Sequence, residues 1–87
     1  MSAPNEVIIT RIRSRVFELR VDVTGYLPGE LQDWPAHIQD AIYAAMERVI
    51  KITKVKKLHV LQSRCGRDVA EEPYHIVVTV AGQTAVQ

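Results

Sequence analysis

The chain has 87 residues, 47% of them hydrophobic and 24% charged, with a formal net charge of +1. That length holds one hydrophobic core and so one domain, and the composition is that of a globular protein rather than a disordered one. The near-zero balance excludes the strong basic or acidic field of a dedicated nucleic-acid or membrane-surface binder, and no apolar run approaches the ~20 residues of a membrane helix.

The start, Met1-Ser2-Ala3-Pro4-Asn5-Glu6, has no basic end followed by an apolar stretch, so no secretory signal is read there. The single cysteine cannot close an internal disulfide and fits a reducing compartment. A cytoplasmic location is the expectation. Residues 1–5 and 83–87 read as loose tails of a single domain spanning 1–87.

In chain order, Val7 to Arg13 is rich in β-branched residues, and Phe17 to Val23 alternates, with Phe17, Leu19, Val21 and Val23 on one side and Glu18, Arg20 and Asp22 on the other. Period two marks a half-buried strand. Val7 to Val23 is long for one strand, which predicts a turn near Arg13-Ser14, although no Gly or Asn supports a tight hairpin and one long bent strand stays open.

Thr24 to Asp33 is a loop punctuated by Gly25 and Pro28-Gly29. A helix is expected over 34–54, capped by Asp33, with Pro35 in its first turn. Ile38, Ile42, Ala45, Val49 and Ile52 form its apolar stripe. Leu58 to Arg64 reads as a strand, and Cys65-Gly66-Arg67-Asp68 as a turn. Tyr74 to Ala81 is the last strand, ended by Gly82. Tyr74, Ile76, Val78 and Val80 share one side, and Val77 and Ala81 make the other side apolar too, which predicts a central strand. The predicted fold is α+β: an antiparallel sheet of three or four strands packed against one long helix.

The chemistry-bearing residues are few. Cys65 lies between Arg64 and Arg67 but has no nearby His and no second thiol, so an ordinary structural cysteine is expected. His37, His59 and His75 have no ligand spacing, and no metal site is read. There is no phosphate-binding glycine loop, nucleophile elbow or carboxylate pair, so the chain is not expected to be an enzyme. Arg11, Arg13 and Arg15 fall on one face if their segment is extended, a row of guanidinium groups able to meet phosphates or carboxylates.

From Phe17 onward the chain resembles the dodecins, small proteins of strand, long helix, strand, strand order. Val21-Asp22-Val23-Thr24-Gly25 is similar to their first strand. Met46-Glu47-Arg48-Val49-Ile50-Lys51 through Arg64-Cys65-Gly66 resembles their helix end, second strand and Gly turn. Tyr74-His75-Ile76-Val77-Val78-Thr79-Val80 resembles their last strand, and Trp34 a Trp at their helix start. The resemblance covers about two thirds of the chain, with gaps in the first loop and the helix. It implies a hollow homo-oligomer. Many dodecins store flavin between a Trp and a Gln. Here Leu58 and His75 stand at those places, so no cofactor is expected.

The expected function is therefore a self-assembling, non-enzymatic small binding protein of dodecin-like shape. Arg11, Arg13, Arg15, Leu58 and His75 are its candidate contact residues, and self-association is expected through apolar sheet surface that one helix leaves uncovered, with Val77, Ala81, Val7 and Ile9 contributing. The alternative is a small adaptor or inhibitor, for example a phage-encoded inhibitor of a bacterial defence complex, that docks on a larger protein or nucleoprotein machine. A nucleic-acid accessory using the arginine row is a weaker third reading.

Overall fold

A computed structural model of the chain describes residues 6–83; both expected tails lie outside the described residues except at Gln83. Strands β1 (Ile8–Arg13) and β2 (Val16–Val23) precede a single-turn 3-10 helix (Leu31–Asp33), helix α1 (Ala36–Thr53), and strands β3 (Lys57–Gly66) and β4 (Tyr74–Gln83). The sheet order is β1-β2-β4-β3, antiparallel throughout. This is the α+β fold the sequence implies, in its four-stranded form. β4 is central, flanked by β2 and β3.

The core follows from the two periodicities. Phe17, Leu19 and Val21 of β2 and Ile76, Val78 and Val80 of β4 stand on one face of the sheet. Ile38, Ile42, Ala45 and Val49 of α1 pack down onto them. Leu19, Ile42, Ile76, Val78 and Val80 are completely buried. At about 1.5–3 kcal/mol for each large apolar side chain removed from water, this layer is the main source of stability.

Several local expectations are corrected. Ser14 and Arg15 turn the chain from β1 to β2 without Gly or Asn, because Arg15 itself adopts the left-handed region at φ 66°. The Arg15 carbonyl accepts the Gly82 N–H at 2.6 Å, which fastens the turn to the end of β4. Asp33 does not cap α1. Its carboxylate closes the preceding 3-10 turn by accepting the Glu30 N–H at 3.0 Å, and Pro35 is the N-cap of α1. Cys65 and Gly66 belong to β3 rather than to a turn, and β4 runs through Gly82 to Gln83. Ile52, expected on the buried stripe, is 76% exposed. Ile52 stands in the last turn of α1, which ends at Thr53, and lines an open cleft there.

Candidate binding surfaces

The helix covers one face of the sheet, and the register fixes what the other face presents. Paired residues stand side by side, so the open face is read in rows across the strands. One row holds Asp22, His75 and Gly66; the next Ile8, Arg20, Val77 and Arg64; the next Thr10, Glu18, Thr79 and Gln62; the last Arg13, Val16, Ala81 and His59. Successive rows are acidic, basic, acidic and basic. The bulge residues Ile12 and Leu61 drop out of the register at the two edges.

The apolar back of β4 is present but largely covered. Val77 is only 7% exposed although no helix lies over it. It sits between Arg20 and Arg64 in its row, whose aliphatic stems flank it. Exposed apolar side chains lie instead toward the sheet edges: Ile8 and Ile12 on β1 and Leu61 on β3, with Val60 on the helix side opposite Val80. Arg20 donates from Nη2 to His75 Nδ1 at 3.3 Å. Arginine has no acceptor, so this ring nitrogen accepts and the other carries the proton. The bond holds the Arg20 head over the face.

Two open clefts lie at opposite ends of α1. The first, about 490 Å³, is lined by residues from the β2 end through Leu27 and by Pro35, His37 and Ile38 at the helix start. Its apolar floor includes Val23, Leu27 and Ile38; Asp22, Thr24 and His37 supply polar groups. Tyr26, which also lines it, meets Tyr74 edge-on at 5.7 Å, and Arg67 stacks over Tyr74 at 4.4 Å. Beside the cleft, Cys65 Sγ accepts the Leu27 N–H at 3.3 Å and Ser63 Oγ accepts the Leu31 N–H at 3.0 Å. These bonds tie the long loop to β3. The second cleft, about 430 Å³, is lined by Arg11, Ser14, Arg15, Phe17, Ile52, Thr53 and Val55.

The predicted contact residues are dispersed. Arg11 pairs with Phe17 and stands on the helix side, where it shares the second cleft with Arg15. Arg13 pairs with Val16 and belongs to the open face, so the three arginines do not form one row. Leu58 is 8% exposed and packs in the core beneath α1, where it offers no surface for stacking. His75 lies on the opposite face. Leu58 pairs with Gly82 and His75 with Gly66, near opposite ends of β3 and β4. One chain therefore does not bring Leu58 and His75 together.

The alternation is written along β2 as Glu18, Arg20 and Asp22, and the pairing of β1, β2, β4 and β3 adds Arg13, His59 and Arg64 to its rows. Among the described residues no group of three His, Cys, Asp or Glu side chains is placed to hold a metal ion, and no helix is long and apolar enough to cross a membrane. No protein-family model, curated protein or solved structure matches the chain.

Proposed function

We propose that this chain is a non-enzymatic binding protein that self-assembles by packing the open faces of two sheets against each other. The observation that carries the reading is the alternation of acidic and basic rows across the uncovered face. A twofold axis between the second and third rows, perpendicular to the strands, reverses their order. Arg20 of one copy then faces Glu18 of the other in the two central rows, and the outer rows bring Asp22 of one copy to within one strand of Arg13 of the other. Such self-complementarity is what an isologous interface requires. The rows are spaced by two residues, roughly 7 Å, and face-to-face sheets stand about 10 Å apart, so a slip by one row would oppose like charges. Ile8, 61% exposed in the Arg20 row, adds apolar area to the contact. The dodecin resemblance supports the same class of protein, a small chain that works as an assembly.

Charge exchange tests this directly. Glu18→Arg and Arg20→Glu alone each oppose like charges across the axis twice. Each is expected to weaken self-association at least tenfold, about 1.4 kcal/mol. The double variant E18R/R20E restores an Arg–Glu pair across the axis and is expected to recover much of the loss. Sedimentation velocity across a concentration series reads the constants. Single variants that associate as the parent does, or a double variant worse than either single one, would overturn the face-to-face arrangement. A chain monomeric throughout would leave the reading in which it docks on a larger partner as an adaptor or inhibitor.

A further inference from the structure

The cleft at the C-terminal end of α1 is separate from the open face, because Arg11 stands on the helix side of the sheet with Phe17. We infer that this cleft binds a small organic anion, a phosphate ester whose charged group lies between Arg11 and Arg15 and whose apolar part rests on Phe17, Ile52 and Val55. Three observations carry it.

The residues that line it include Arg11, Arg15 and Ser14 and no Asp or Glu. The C-terminal end of a helix contributes only about half a negative charge, so two arginines leave the cleft positive. Guanidinium pairs bind phosphate through parallel charge-assisted hydrogen bonds.

Arg15 occupies a backbone position suited to glycine, at φ 66°. A turn that serves only to reverse the chain is best filled by a residue without a Cβ. Here the strained position carries one of the cleft's two cations, and the bond from Gly82 N–H to its carbonyl holds the turn in place.

Ile52 is 76% exposed at the mouth of the same cleft. It does little for the core, and as a cleft wall it offers apolar surface beside the cations.

Amide-resolved NMR titration with phenyl phosphate, inorganic phosphate and phenol tests the inference. Phenyl phosphate is expected to shift amides of residues 11–17 and 52–55 saturably and to bind about tenfold more tightly than inorganic phosphate, with phenol weaker than either. Arg15→Gly keeps the turn, since glycine suits its φ, and is expected to weaken phenyl phosphate about tenfold, as is Arg11→Gln. Ile52→Ser, at an exposed position, is expected to weaken phenyl phosphate and leave inorganic phosphate unchanged. Shifts confined to other residues, Arg variants that bind as the parent does, or phenyl phosphate no tighter than inorganic phosphate would each overturn the proposal.

Discussion

Arg15 illustrates how one residue's backbone and side chain can pull in different directions. Its φ of 66° lies in a region that costs a residue with a Cβ about 1–2 kcal/mol. Glycine avoids that cost but gains freedom in the unfolded chain, so the full amount is not recovered. Arg15→Gly is expected to stabilise the fold by roughly 0.5–1 kcal/mol in urea denaturation, even as it removes a cation from the second cleft. A loss of stability would mean that the arginine side chain contributes more to the turn than its backbone costs. Cys65 is the converse case. Read as part of a turn, it lies in β3 and accepts the Leu27 N–H. Cys65→Ala is expected to cost about 1 kcal/mol through that lost acceptor, measured by thermal unfolding. An unchanged melting temperature would show the sulfur contact to be worth nothing.

At the scale of elements, β4 and its neighbours set the limits on substitution. A Cβ at Gly82 would sit 2.8 Å from Val55 Cγ1, inside van der Waals contact. Gly82→Ala is expected to destabilise by about 1–3 kcal/mol, because Val55 is buried in the core and cannot move aside freely. Equilibrium unfolding checks this, and a neutral result would mean that the chain between α1 and β3 yields. The central place of β4 was legible, because Tyr74 to Ala81 is apolar on both sides and a strand with two flanking neighbours accommodates that. The core face of β2 and most of the α1 stripe were legible from their periods. The β1–β2 turn was only half legible: its place was readable, but its means was a left-handed arginine that no turn signal announces. The helix stripe misled at Ile52, which keeps the spacing but falls in the last turn of α1 and is exposed. The candidate surfaces were least legible. Arg11 and Arg13 are two apart and look like one row, but the bulge at Ile12 and the turn after Arg13 assign them to different surfaces. Glu18, Arg20 and Asp22 read as a solvated strand side until the register adds Arg64 and Arg13 to their rows.

For the whole molecule, a sheet of four strands at ~4.8 Å spacing is roughly 14–19 Å wide, against about 10 Å for the helix that covers one side. Among the described residues, no helix or strand forms a layer over the other side. Antiparallel sheets can leave such a face to water, so exposure alone does not decide the matter. The alternation of charge on that face is what motivates the proposed self-association. Surface ion pairs contribute only about 0.2–1 kcal/mol each, so the complex is expected to be weak and salt-sensitive, with the banding setting its register. The expected complex is a symmetric dimer, or a larger closed assembly built on it. Multi-angle light scattering after size exclusion, at micromolar concentration and low salt, tests this claim most directly. The account predicts a mass at least twice the 9.8 kDa of the chain, falling toward one chain as salt is raised. A single 9.8 kDa species at every concentration and salt would contradict it.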